Sequence, residues 1–279
     1  MDVYIHTTCS SDEPVIKNRL TPFVNESLAR GYQTNLYSLV GNSSFSINSN
    51  TDFFKYVALN EAQPKGDRFL SRAIAEVKVA NKVLSSSLAK EKHSETVYIV
   101  TIPSMFLLFC YARRKGINVL DIRDITWEYL SGSKLKEAAK FFLRQFAKLK
   151  IKNFDYVLVT NDAEYEYVVN ILDFNAKRVV KVSNGIMLSQ FNSLSIACST
   201  AEAKKTSRKR VTYIGNVGLA QDLSTLVYCA AAMPDVDSFI VGEGSDFSRI
   251  KELPAELKIN NVFLPGRVAW DEVVNFYGQ

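Results

Sequence analysis

Residues 213–221 read YIGNVGLAQ, 240–245 read IVGEGS and 263–268 read FLPGRV. Each is a short strand-like run broken by glycine: Gly215 and Gly218 in the first, Gly242 and Gly244 in the second, Gly266 in the third. Helical patterns follow at 223–232, 246–253 and 271–277, so the stretch predicts three βα units. Glycine at a strand end lets backbone amides approach a ligand and tolerates positive φ. The N-terminus of a following helix adds partial positive charge, and the pair predicts a phosphate cradle. Singly, each site is also the pattern of an ordinary turn. Together they fall at successive strand ends of one sheet, on the edge where open α/β sheets bind ligands. The spacing is not GxGxxG and no GxxxxGK[ST] occurs, which excludes a Rossmann dehydrogenase and a P-loop NTPase.

The same alternation extends upstream. Strands are predicted at 3–6, 34–40, 96–102, 118–122, 155–160 and 177–182, and helices at 18–30, 71–88, 105–115, 133–152 and 163–172. The fold class is therefore α/β, with parallel sheets covered by helices on both faces. Residues 193–210 interrupt the rhythm with serine-rich sequence and a basic run over 204–210, and read as a linker whose charges are either solvated or phosphate-binding. The expected organisation is a first Rossmann-like domain over 1–192, a linker over 193–210, and a second, incomplete domain over 211–279.

Composition narrows the class. The 279 residues are 47% hydrophobic and 23% charged, a globular balance, and roughly 150 residues per domain suggests two domains. Lys and Arg number 34 against 29 Asp and Glu, a net charge of +5 that permits contact with phosphates or an anionic membrane face without marking a nucleic-acid binder. Cys9, Cys110, Cys198 and Cys229 form no CxxC pair and read as buried apolar residues in a reducing compartment. With only His6 and His93, no His-rich metal centre is expected, and no metal ion or cofactor is indicated. The N-terminus lacks the basic and apolar stretches of a signal peptide, and the most apolar run, 105–112, is less than half of the ~20 residues that span a bilayer. A cytoplasmic protein is expected.

Residues 213–277 resemble the start of the C-terminal domain of family 4 retaining glycosyltransferases of the GT-B fold. Upstream, RVVKVSNGIMLSQF at 178–191 is similar to that family's "VIPNGVD…F" junction. VYIVTIPSMFLLFCYARRKGINVLDIRDITWEYL at 97–130 is similar to the "SPP…DVRDLWPE" segment of members acting on lipid-linked intermediates, and NFDYVLVTNDAEYEYVV at 153–169 to "AD.VIVVS". The resemblance implies sugar transfer with retention from a nucleoside diphosphate sugar, UDP being the expected nucleotide, to a polyprenyl-diphosphate-linked saccharide in surface-polysaccharide assembly. Carried over, Gly215, Asn216, Gly218 and Gln221 border the donor diphosphate, with Asp222 standing where members carry glycine. Gly242, Glu243 and Gly244 line the nucleotide site, and Gly266, Arg267 and Val268 lie near the base. Asp121, Arg123 and Asp124 mark the first domain's site edge. Arg123 stabilises phosphate charge and Asp124 orients hydroxyls, with strand-end capping the alternative for both aspartates. His6, in a first loop HTTCSS that lacks the family's glycines, either bonds a sugar or packs at a strand end. The family's two glutamates, eight positions apart after a further strand, would lie beyond Gln279, so the reading leaves open a fragment or a truncated chain with an uncovered sheet edge.

In helix 133–152, Leu135, Ala139, Phe142, Phe146 and Leu149 form a stripe predicted to face the core. Lys136, Lys140, Arg144, Lys148 and Lys152 recur on the other side, with Phe141 among them, and read either as a solvated face or as a contact with an anionic leaflet. That contact would make the protein peripheral on the inner face of the plasma membrane. Two further functions stay open: a non-catalytic or binding subunit, and a UDP-sugar 2-epimerase on the same fold, for which acid/base side chains are scarce.

Overall fold

The computed structural model describes residues 1–277 except 11–12, 14–15, 42–50, 62–68, 88–94, 103, 131, 187 and 202–207. It divides into two compact units, Met1–Gly185 and Ile186–Gln279.

The first unit is a parallel sheet of β1 (Asp2–Ser10), β2 (Gln33–Leu39), β3 (Phe54–Leu59), β4 (Thr96–Ile102), β5 (Ile117–Ile122), β6 (Tyr156–Val159) and β7 (Val179–Lys181). Its order is β3-β2-β1-β4-β5-β6-β7, so the strand order reverses between β1 and β4. Helices α1 (Thr21–Ala29), α2 (Phe69–Ser85), α3 (Met105–Cys110), α4 (Lys134–Lys150) and α5 (Asp162–Glu166) connect the strands. Successive residues of β1 serve opposite faces. Val3 and Ile5 pack with Ile16, Leu20, Val24 and Leu36, whereas Tyr4 packs with Tyr37, Tyr98 and the larger cluster around Leu107, Leu120 and Trp127. Burial on both faces is why these strands read as near-continuous apolar runs.

Strand β3 is an addition to the sequence reading. It lies at the sheet edge and is only partly buried, so it lacks the apolar run that announces a central strand. The helix predicted over 105–115 stops at Cys110. Tyr111 turns extended because its ring stacks on Phe154 at 4.6 Å and its hydroxyl reaches Asn118 at 2.5 Å.

Helix α4 corrects a larger expectation. Ala147 is buried, and Lys140, Leu143, Arg144 and Lys148 are half-buried on the face toward the body. Leu135 is 81% exposed, Phe142 70% and Leu149 63%, with Phe141 and Phe146 also exposed. Leu135, Phe142 and Leu149 of the stripe predicted to face the core therefore face solvent, whereas Phe146 keeps contact with the Phe109 ring at 5.0 Å and Ala139 is half-buried. The physical reason is an ionic grip. Arg144 donates to both carboxylate oxygens of Glu128 at 2.9 and 2.7 Å, and the Tyr167 hydroxyl donates to the same carboxylate. Lys148 pairs with Asp173 at 3.3 Å, and Lys140 with Glu137 at 2.8 Å. Small Ala147 lets the helix backbone approach.

The second unit is built on β8 (Lys209–Ile214), β9 (Val236–Val241) and β10 (Val262–Gly266), in order β10-β9-β8 and all parallel. Helices α6 (Leu188–Ala201), α7 (Ser224–Ala232), α8 (Phe247–Glu256) and α9 (Trp270–Tyr277) accompany it. Its core is Val217, Leu223, Val227, Ile240, Ile250 and Leu253. Helix α6 corrects the linker expectation over 193–201. The serine-rich composition conceals Leu188, Phe191 and Leu194 at helical spacing, and the helix docks on α9. The unit division falls at Gly185 rather than at 192. Residues 202–207, with most of the basic run, lie outside the described residues. Its end is structural: Arg208 donates to Asp237 at 3.0 Å, and Arg210 sits 4.3 Å from the Phe239 ring centre. The cysteines are less uniform than expected, with Cys9 buried, Cys110 half-buried and Cys229 exposed. Among the described residues, no helix is long and apolar enough to cross a membrane.

His6 belongs to the core. It is fully buried, stacks on Tyr37 at 5.2 Å, and its Nε2 lies 2.9 Å from the Ser87 hydroxyl. Burial first, and the nearby Arg114 cation second, lower its pKa from 6.5 to about 3. The unfolded chain thus binds the imidazole proton at a higher pH than the folded one, so stability falls as pH drops below 6.5. Between pH 6.5 and 5 this group alone should remove about 2 kcal/mol. Urea unfolding across that window should show a shallower pH slope in His6→Gln than in the unaltered protein. Identical slopes would contradict the assignment.

Candidate functional site

In the second unit the three glycine-bearing strand ends do gather at one sheet edge. The Gly215 amide donates to the Val241 carbonyl at 3.0 Å, that of Val217 to Glu243 at 3.0 Å, that of Gly242 to Gly266 at 2.9 Å, and that of Asp246 to Val217 at 3.0 Å. These bonds sew the loops after β8, β9 and β10 to one another. A side chain at Gly242 would place its Cβ 1.8 Å from the Gly215 carbonyl oxygen, at φ +147°, and one at Gly244 would fall 2.3 Å from the Val217 oxygen. Close backbone approach therefore requires these two glycines, and the approaching partner is the neighbouring loop. The Gly215 and Gly242 amides are thus bonded to the carbonyls of the last residues of β9 and β10, Val241 and Gly266.

The other residues of this edge are placed as follows. Gly218 is buried beneath Asn216 and Gln221, whose side-chain amides bond each other at 3.2 Å. Asn216 and Gln221 are exposed, and the Asn216 carbonyl accepts from the Tyr213 hydroxyl at 2.7 Å. Glu243, Gly244 and Arg267 are exposed, Val268 is half-buried, and Gly266 is buried with φ +83°, where a Cβ would meet only ordinary contacts, Glu243 Oε1 at 3.9 Å and Phe247 Cζ at 4.0 Å. Asp222 has φ +42° and ψ +55°, the left-handed region that favours glycine. That geometry accounts for the glycine expected there. An aspartate is tolerated because its carboxylate accepts from the hydroxyls of Ser224 and Thr225 in the first turn of α7.

The first unit has its own polar edge, at the C-terminal ends of β1, β4 and β5. Arg19, in a π-helical turn Ile16–Leu20 after β1, is buried. Its Nε donates to the Asp121 carboxylate at 3.1 and 3.2 Å, its Nη2 closes the fork, and its Nη1 donates to the Val182 carbonyl at 2.5 Å. The Thr101 hydroxyl donates to the same carboxylate at 3.1 Å. Burial pushes the Asp121 carboxyl up, and the Arg19 fork holds it back. Asp121 is thus an ion-pair partner rather than a strand-end cap. Sequence reading missed Arg19; its signal is a cation between Leu20, Phe23 and Val24 on the apolar side of the predicted helix.

Arg123 follows Asp121 by two residues and is half-buried. Its Nε and Nη1 are buried and, among the described residues, have no hydrogen-bond partner. Burial lowers its pKa, and Asp121 opposes that shift. A planar cation with unmet donors is suited to phosphate oxygens or a carboxylate. Asp124 accepts from the Tyr129 hydroxyl at 2.5 Å, which with burial pushes that phenol up to about 12. Of the two alternatives for His6, the structure places it packed at the strand, fully buried against Tyr37 and Ser87.

No protein-family model matches the sequence, and no curated protein matches it. Solved structures do. Sucrose-phosphate synthase from Thermosynechococcus elongatus matches with TM-score 0.71 and 15% identity, over 100% of this chain and 73% of that one. WaaG, a glycosyltransferase involved in lipopolysaccharide biosynthesis, matches with TM-score 0.60 and 12% identity, over 99% of this chain and 72% of that one. HepE of Anabaena, in complex with UDP, matches with TM-score 0.60 and 11% identity, over 99% and 71%. At these identities the likeness shows the fold: this chain shares the two-unit α/β fold, GT-B, of these proteins.

The loop packing predicts a contrast. Gly242→Ala should cost about 3 kcal/mol, since the clash is with backbone. Gly266→Ala meets only its strained φ and should cost about 1 kcal/mol. Urea midpoints of the two variants would check this, and equal losses would contradict it.

Proposed function

We propose that the chain is a retaining glycosyltransferase of the family 4 type. It transfers a hexosyl group from a nucleoside diphosphate sugar, with UDP as nucleotide, to a saccharide on polyprenyl diphosphate, in capsule, O-antigen or exopolysaccharide assembly. The observation that carries the reading is the gathering of the loops after β8, β9 and β10 at one edge of their sheet. The shared fold supports it, as do the UDP bound to HepE and the lipopolysaccharide role in the description of WaaG.

In this reading the bond from the anomeric carbon to the diphosphate oxygen breaks while the acceptor hydroxyl oxygen bonds the same face and its proton passes to the leaving diphosphate. Negative charge grows on phosphate oxygens, and a fixed cation there stabilises the transition state more than the ground state. Arg123 offers its unmet N–H groups to phosphate oxygens of the reactants, and Asp124, steadied by Tyr129, orients a hydroxyl. Asn216, Gly218, Gln221, Glu243, Gly244, Gly266, Arg267 and Val268 border the donor on the second unit. The donor is a co-substrate, and the reading assigns no resident cofactor or metal and no nucleic-acid partner. The protein works at the cytoplasmic face of a membrane that holds the acceptor.

Nucleoside diphosphate release from UDP-sugars in the presence of a polyprenyl-diphosphate saccharide tests this. Arg123→Ala should lower turnover about a hundredfold, the usual loss for a transition-state charge donor, with partial recovery in Arg123→Lys. Unchanged turnover in Arg123→Ala, or no release by the unaltered protein across the donor panel, would sink the reading.

A further inference from the structure

We infer that α4 is a bilayer-docking helix that lays its Leu135, Phe142 and Leu149 stripe into an anionic membrane surface, with Phe146 at the stripe's edge packed on Phe109, ring centres 5.0 Å apart. The face of α4 that holds the first unit is already identified: Ala147 and the Arg144–Glu128 ion pair occupy it. The opposite face carries large apolar side chains with no covering element among the described residues, Leu135 at 81% exposure and Phe142 at 70%. Such an unpartnered apolar stripe is the feature that interfacial helices bury at the level of the lipid headgroups.

The rim of the stripe selects the occupant. At 3.6 residues per turn, Lys134 falls on one flank with Phe141, and Lys136 and Lys150 on the other, while Lys152 follows in the short turn Ile151–Asn153 after the helix. Lys134, Lys136 and Lys152 are exposed, and the Lys150 ammonium lies 5.6 Å from the Phe146 ring centre. The one acid of the helix, Glu137, is paired with Lys140. An apolar strip with cations on both sides matches an anionic leaflet, which takes the rings below and the ammonium groups at the phosphate level. A second copy of the helix would set lysine against lysine.

The docking face is therefore rotated from the one expected from sequence. Lys140, Arg144 and Lys148 are committed to Glu137, Glu128 and Asp173, whereas Lys136 and Phe141 remain at the rim. Glu128 belongs to the short turn Thr126–Tyr129 that leads from Arg123 and Asp124 into α4. Its pairing with Arg144 holds the helix in fixed relation to that polar edge, beside which a lipid-borne acceptor would arrive. This assignment deepens the proposed function, since it rests on an acceptor carried by lipid.

Co-sedimentation with vesicles tests it without any transfer reaction. The unaltered protein should bind phosphatidylglycerol-containing vesicles and bind pure phosphatidylcholine about tenfold less. The Leu135→Ser/Phe142→Ser variant should keep its thermal midpoint and lose about tenfold in vesicle binding. Lys134→Gln/Lys136→Gln/Lys152→Gln should weaken binding to the anionic vesicles and flatten its salt dependence. No binding by the unaltered protein, or undiminished binding by the serine variant, would overturn the proposal. So would a lipid-independent dimer that the serine variant dissociates. Retained vesicle binding without nucleoside diphosphate release would instead count against sugar transfer while the docking face stands.

Discussion

The buried pair of Arg19 and Asp121 is the constraint on which the polar edge of the first unit depends. One guanidinium reaches from the turn after β1 to the end of β5 and to the Val182 carbonyl after β7. A buried ion pair of this kind is tolerated because its forked geometry and the Thr101 hydroxyl meet most of the carboxylate's hydrogen-bonding capacity. Its consequence is local and chemical. Asp121 is occupied by Arg19, so the neighbouring Arg123 keeps buried N–H groups with no partner among the described residues. Unmet buried donors cost free energy in the resting protein, and a phosphate oxygen is the natural acceptor for them.

The second unit solves a different problem with main chain alone. Three parallel strands end at one edge, and the loops that follow bond one another through their amides and carbonyls. Gly242 and Gly244 are necessary because another loop's carbonyl stands where a side chain would be. The solvent-facing part of this edge is accordingly formed by Asn216, Gln221, Glu243 and Arg267, side chains that are exposed above the sewn loops. The glycines build the platform, and the polar residues between them face outward.

Much of the fold was legible because central parallel strands are buried on both faces, so runs such as Thr96–Ile102 read as apolar without ambiguity. Strand β3 was hidden because an edge strand has no such run. Helix α6 was hidden because serine content resembles a linker, while its partner α9 comes some seventy residues later in the chain. The α4 orientation was illegible for a sharper reason. Periodicity identifies an apolar face but not what lies against it, and here Glu128, Tyr167 and Asp173, all outside the helix, draw the cationic side inward. At the candidate site, residue types at strand ends indicated Arg123 and the glycine loops, but the division of labour did not follow from sequence. Arg19 could be recognised as a partner of Asp121 only once the sheet order brought residues a hundred positions apart together.

The proposed sugar transfer requires a nucleoside diphosphate to seat on the glycine-loop edge of the second unit. Backbone-amide NMR during titration with UDP tests it most directly. Shifts should concentrate at 216–221, 243–246 and 266–268, with the N-terminal ends of β8, β9 and β10 unaffected. Shifts confined to those N-terminal ends, or none at saturating nucleotide, would contradict it.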